Sequence, residues 1–174
     1  MSNLKLICLD FSDLFVLTQI KSHLSEIIPT KIIYKKINNN LSDYFHKERQ
    51  QYNAGRIIEA YTSGKKINKS IILTSVDLYI PIFTFVFGLA KLNGEVGIVS
   101  AHRLSNEFYG LPGNEKLFRT RLLKEIIHEL GHLYNLRHCN NYICVMASST
   151  TVDDLDIKHT EFCALCRKTF IENC

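Results

Sequence analysis

The spacing of apolar positions changes several times along this chain, and each change marks an element. Leu4-Lys5-Leu6-Ile7-Cys8-Leu9 reads as a first strand. A helical pattern follows from Ser12 to about Ile28, where Pro29 ends it. Lys31-Ile32-Ile33-Tyr34-Lys35-Lys36 is short and β-branched, a second strand, and Asn38-Asn39-Asn40 is a loop. Ser42 or Asp43 caps a polar helix expected to run to about Thr62, with Ser63-Gly64 closing it; Ser70 to Thr74 is a third strand. This strand–helix alternation predicts an α/β fold, a sheet with a parallel portion and helices against it.

The rhythm then changes. Ile82 to Leu89 is an apolar run expected to form one strand, and Asn93-Gly94 turns the chain into another from Glu95 to Ser100. A connection this short makes the two antiparallel neighbours. After a loop from Ser105 to Gly113, Asn114 is a good N-cap for a long helix from Glu115 to about Asn135. Beyond Asn135 no long periodic pattern remains, so the C-terminal part is expected to be held by metal as much as by packing.

Composition narrows the classes. At 174 residues the chain is expected to form one domain, 1–174, with no internal boundary. An apolar content of 46% with 22% charged residues suits a soluble globular protein. A net charge of +4, without a basic tail or a run of stacking aromatics, argues against a nucleic-acid partner. No apolar stretch approaches the roughly 20 residues a membrane helix needs. Met1-Ser2-Asn3-Leu4-Lys5 lacks the parts of a signal peptide, so a cytoplasmic location is expected, and a monomer.

The chemistry concentrates in His128-Glu129-Leu130-Gly131-His132, followed by His138 and Cys139. Histidines four apart on a helix lie about 40° apart around its axis, so both can reach one ion. His138 would point away if the helix continued, so the chain must leave the helix near Asn135 and fold back. Three neutral imidazoles on zinc leave one coordination position open for water, which separates a catalytic site from a structural one. Glu129 is then placed to accept a proton from that water. The bland alternative is a set of helix-surface histidines beside a surface carboxylate.

Cys139, Cys144, Cys163 and Cys166 have the count and pairing of a closed zinc site, which leaves no open position and is therefore structural. A redox dithiol at Cys163-Ala164-Leu165-Cys166 is the rival. Cys8 lies in an apolar run and Cys174 at the end of the sequence; neither is expected to have a role. His23, His46, His102 and His159 lack ligand spacing. Tyr134 and Tyr142 are considered as a second oxyanion donor, but packing is the simpler role for both.

From His128 to Cys166 the sequence resembles the archaemetzincin family, in the metzincin clan of zinc metallopeptidases. The resemblance rests on the long zinc motif, a cysteine directly after the third histidine, the Cys144-Val145-Met146 turn and the distal CxxC. Phe85-Val86-Phe87-Gly88-Leu89-Ala90, Val99-Ser100 and Arg103-Leu104 extend it upstream. It implies a metzincin-like twisted mixed sheet with helices packed on it, in a part spanning 1–135. Ile82 to Leu89 would be the antiparallel edge strand above the zinc. A zinc-stapled C-terminal lobe would span 136–174. It implies two zinc ions per chain, one catalytic and one structural, with Met146 as an apolar floor beneath the histidines. The expected activity is hydrolysis of peptides or proteins. The alternative is a non-catalytic zinc-binding interaction protein that keeps the metal sites. One departure stands out, because the family usually has Gly where this chain has Asn135.

Overall fold

In a computed structural model, which describes residues 3–28, 31–62 and 68–174, the strand-like runs assemble into one main sheet. Its strands are β1 (Leu4–Leu9), β2 (Ile32–Ile37), β5 (Ser70–Thr74), β7 (Gly88–Ala90) and β8 (Val96–Ser100), in the order β2-β1-β5-β8-β7. β1 is parallel to both β2 and β5, and β5 is parallel to β8. β7 alone runs antiparallel, with Leu89 opposite Ile98, so the sheet is mixed and ends on an antiparallel edge. Three very short strands, β3 (Phe45–His46), β4 (Gln51–Asn53) and β6 (Leu78–Tyr79), make a second sheet beside it.

Alternation along the strands feeds two apolar layers. Leu6, Cys8, Ile71, Leu73 and Val99 face the helices α1 (Leu14–Ile27) and α3 (Glu115–Leu133). Ile7, Leu9, Ile72, Val96 and Ile98 face α2 (Ala54–Tyr61) through Ala54, Ile57 and Ile58. Both faces of the parallel strands are covered, which is why those strands read as continuous apolar runs. The helices begin where side chains cap them: Asp13 accepts from the Val16 N–H, Asn53 from Arg56 and Asn114 from Leu117.

The C-terminal part adds α4 (Val152–Ile157) and α5 (Ala164–Asn173). Arg121 of α3 makes a two-pronged pair with Asp156 at 2.8 and 2.7 Å, and the buried Lys124 donates to the Leu155 carbonyl at 2.7 Å. Phe170 of α5 stacks on Phe162 and meets Tyr134 edge-on, joining the same core that begins at Leu4. Packing therefore contributes more here than the absence of periodicity suggests.

Two expectations are corrected. The helix over Ser42–Thr62 is instead a 3-10 turn at Ser42–Tyr44, a hairpin of β3 and β4, and then α2. Lys47-Glu48-Arg49-Gln50 suit a helix by propensity but offer no apolar face to bury. Gln51 is drawn in instead, donating to Asp77 and to the Thr84 carbonyl. Helix forms only where Ala54, Ile57 and Ile58 supply a stripe. The strand over Ile82–Leu89 is likewise reduced to β7. Ile82 and Phe83 lie exposed in a turn after Pro81, and Val86 makes only a single antiparallel bridge to Leu78. The helices α1 and α2 end at Ile27 and Tyr61, close to the expected Ile28 and Thr62, while Pro29, Ser63 and Gly64, expected to close them, lie outside the described residues, as do Met1 and Ser2.

Candidate active site and metal ligands

The helix α3 carries His128 and His132 one turn apart, and its end is built to bring a third histidine back. Asn135 takes a left-handed conformation with φ of 66°. The Leu136 N–H bonds to the Gly131 carbonyl and the Asn135 N–H to the His132 carbonyl, both at 2.9 Å. This pair of bonds is the Schellman arrangement, with Asn in the position Gly usually fills. Leu136 is buried, and its carbonyl accepts from His132 Nδ1 at 2.8 Å. The same reversal that aims His138 back therefore also orients His132.

The reactive nitrogens of His128, His132 and His138 converge, each within 4.8 Å of the others. His128 Nδ1 donates to the Val145 carbonyl at 2.8 Å, as His132 does to Leu136. Both Nδ1 atoms carry the proton, since a carbonyl can only accept. The two Nε2 atoms, 3.1 Å apart, then present lone pairs to each other. That contact is repulsive without a cation, so the donor set fits a divalent metal. Burial holds all three imidazoles below their usual pKa, with Lys158 adding to the effect, and His128 falls well below. Neutral imidazole is the ligand form.

Glu129 is buried beside them, and its Oε2 has no hydrogen-bond partner among the described residues. Burial pushes its carboxyl well above the usual range; Glu125 repels it further and Lys158 opposes the shift. Gly88 of the edge strand lies against this carboxylate so closely that a Cβ there would meet Glu129 Oε1 at 2.6 Å. A cavity of about 550 Å³ runs along that edge, lined by Phe85 to Ala90 on one side and by Glu125, His128, Glu129, His132 and His138 on the other.

Beneath the histidines the chain turns at Cys144–Ala147, closed by the Ala147 N–H on the Cys144 carbonyl. Met146 is fully buried, and Gly131 leaves the space for it: a Cβ there would stand 2.4 Å from the Met146 sulfur. The Cys139 N–H bonds to the Met146 carbonyl, tying the residue after His138 to this turn.

Cys139, Cys144, Cys163 and Cys166 form a second group, their sulfurs within 4.8 Å of one another. Cys139 and Cys163 Sγ are 3.8 Å apart, too far for a disulfide bond. The N–H groups of Asn141 and Cys163 donate to the sulfurs of Cys139 and Cys144. The Cys166 N–H lowers the Cys163 thiol to about 7, whereas burial raises those of Cys144 and Cys166. A cation among the sulfurs would let all four ionise together, so the group fits a metal ion. No residue is shared between the two groups, and His23, His46, His102 and His159 belong to neither. Tyr134 packs on Phe170 and Tyr142 is exposed; neither lines the cavity.

Sequence reasoning did not single out Glu125, Ser149 or Lys158 as parts of this neighbourhood, and it read Gly88 and Gly131 only as members of longer motifs. Glu125 was detectable, since it stands one turn before Glu129 on the same helix face. Lys158 carried no local signal. Its ammonium is buried, donating to the Val145 and Ala147 carbonyls at 3.3 and 2.9 Å and lying 3.9 Å from Glu125.

Comparison with known proteins agrees with this geometry. The model of peptidase family M54 matches residues 16–172. An archaemetzincin of Thermococcus kodakarensis is 39% identical over 132 residues, covering 74% of this chain and 71% of that protein. One from Methanocaldococcus jannaschii is 37% identical over 153 residues, covering 88% and 84%. The crystal structure of a zinc-dependent peptidase from Methanocorpusculum labreanum superposes with a TM-score of 0.85 at 28% identity, over 97% of this chain and 100% of that one. On the matched length, the mixed sheet and the two ligand groups, the chain belongs to peptidase family M54, the zinc metallopeptidases that include the archaemetzincins.

Proposed function

We propose that this chain hydrolyses peptide bonds with His128, His132 and His138 holding a catalytic zinc ion and Glu129 carrying the proton. Cys139, Cys144, Cys163 and Cys166 hold a second, structural zinc. The observation that carries the reading is the convergence of three neutral imidazoles with a buried, unpartnered carboxylate oxygen in one cavity beside an antiparallel edge strand. When bound, zinc supplies Lewis acidity, lowering the pKa of a water toward neutrality and polarising the scissile carbonyl.

The protein's own residues do the rest. β7 pairs with β8 on one side only, so its other side offers backbone groups to which an extended peptide can add. Glu129 takes the proton from the attacking water and returns it to the leaving amine. Gly88 fixes where that carboxylate sits, and the bonds from His128 and His132 to backbone carbonyls fix the rings. Met146 gives the histidines an apolar floor.

The same reading makes 1–174 a single domain, with 1–135 supplying sheet and active-site helix and 136–174 the metal-stapled lobe. One apolar cluster running from Leu4 to Phe170 supports this. It also makes the protein a cytoplasmic monomer acting on peptides or proteins. Thiols placed for metal suit a reducing compartment, and no described helix is long and apolar enough to cross a membrane.

The test is a zinc-loaded preparation on a diverse peptide library, with Glu129→Gln as control. The expected outcome is cleavage by the native chain and a loss of several orders of magnitude in the variant, with both metals retained. Metal binding without turnover in either protein would leave the interaction-protein alternative standing.

A further inference from the structure

Only three buried side-chain N or O atoms lack a hydrogen-bond partner among the described residues: Glu125 Oε1, Glu129 Oε2 and Ser149 Oγ. All three residues line the same cavity. A buried polar atom with no partner costs about 1–3 kcal/mol, so three acceptor atoms around one cavity call for a donor that enters it, water in the free protein and a ligand group in its place. Hydrolysis accounts for Glu129 and leaves Glu125 and Ser149 unexplained.

We infer that Glu125 and Ser149 form a subsite that takes the side chain of a substrate residue flanking the scissile bond, and that this side chain ends in a hydrogen-bond donor. The inference rests on the peptidase reading above. Glu125 is 3% exposed and stands one turn of α3 from Glu129, about 6 Å along the helix axis, within reach of a side chain next to the reacting bond. Ser149 comes from the segment after the Met146 turn. Phe85, Val86 and Phe87 also line the cavity, and apolar lining suits an aliphatic stem.

Lys158 is the cation facing Glu125. At 3.9 Å it does not hydrogen-bond to Oε1, and its protons go to the Val145 and Ala147 carbonyls. It offsets the carboxylate's charge and leaves the acceptor open. A methylene stem ending in an amine or a primary amide fits this combination. An alkyl or thioether end would bury itself against two unmet polar groups. Sites built to hydrogen-bond a substrate group discriminate strongly against analogues lacking it.

The experiment uses zinc-loaded full-length protein and one cleavable peptide varied at each position beside the cut bond. Lysine is set against norleucine and glutamine against methionine, pairs of similar shape. Cleavage is read as kcat/KM, and binding of the same peptides to Glu129→Gln by fluorescence anisotropy. The native chain should favour the donor-ended member by at least about tenfold at one position. Glu125→Leu should abolish or invert that preference, and Ser149→Ala should reduce it.

A native preference for norleucine and methionine at both flanking positions overturns the inference. So does a uniform loss on all peptides in Glu125→Leu while Ser149→Ala leaves the ratio unchanged. Cleavage without donor preference refutes the subsite and spares the peptidase. Donor-selective binding to Glu129→Gln without turnover by the native chain does the reverse.

Discussion

Replacing Asn135 by valine perturbs the one place where the backbone must reverse for His138 to face His128. Asn135 sits at φ 66°, where an L side chain crowds the following carbonyl. Asn bears this better than most residues because its short polar side chain can bond locally; a β-branched side chain cannot, so valine should cost on the order of 1–2 kcal/mol. For a chain of this size each kcal/mol shifts Tm by roughly 2–4 °C, which puts the expected drop at about 2–8 °C. The strain has an outlet: the bonds from Asn135 and Leu136 to the His132 and Gly131 carbonyls can break, letting the segment through His138 drift. The coupling cannot exceed the strain itself, so zinc affinity at the histidine site falls by at most about thirtyfold, with tenfold per 1.4 kcal/mol. Thermal melting and competitive chelator titration measure the two quantities. Asn135→Gly should stay near the native values, since glycine is at home at this φ. A valine variant that melts and binds zinc like the native protein would falsify the account of the reversal.

Gly88→Ala should lower Tm by a few degrees, overpacking costing about 1–3 kcal/mol, and cut kcat/KM by about a hundredfold, because the new Cβ displaces the buried Glu129 carboxylate; unaltered activity would show that the carboxylate's position is not critical. Cys163→Ser should lower both zinc content, from two ions to one, and Tm, the latter by more than His138→Ala does, since thiolate-bound zinc contributes directly to folding. Equal melting of the two variants would argue against a structural four-cysteine site. In metal-free protein, burial raises Glu125 to about 7, with Lys158 and Glu129 the charged groups facing it. A raised carboxyl contributes stability that is full below its unfolded pKa near 4.5 and is lost as pH rises through about 7. Glu125→Gln should therefore gain stability relative to the native chain between pH 4.5 and 7, by a few kcal/mol at most, as read by urea titration at several pH values.

Much of this protein is written in local pattern. The strands at Leu4–Leu9, Ser70–Thr74 and Val96–Ser100 are short apolar runs that nothing but a covered sheet accommodates. The helix from Glu115 declares itself through its Asn114 cap, and the two candidate ligand groups through the count and pairing of their histidines and cysteines. That the chain leaves the helix near Asn135 could be read from the spacing of His132 and His138, because a straight helix cannot bring both to one ion, whereas the left-handed conformation there is hinted at only by the glycine the family usually carries. Except for the joining of the two cysteine pairs, these features depend on residues a few positions apart, where backbone sterics and helical geometry decide.

Tertiary structure decided the rest, where the partner lies far along the chain. Gln51 leaves a helical-looking stretch because Asp77 and the Thr84 carbonyl offer it hydrogen bonds. Ile82 to Phe85 could not show that it would turn away from the sheet, since an apolar run reads alike in an edge strand and in a cavity rim. Gly88 and Gly131 look like ordinary glycines until Glu129 and Met146 are packed against them. Lys158 looks like a surface lysine until folding buries it among the Val145 and Ala147 carbonyls and Glu125. The sequence held the groups proposed to bind metal and move the proton; only the packed fold determined which buried polar atoms would be left facing the cavity.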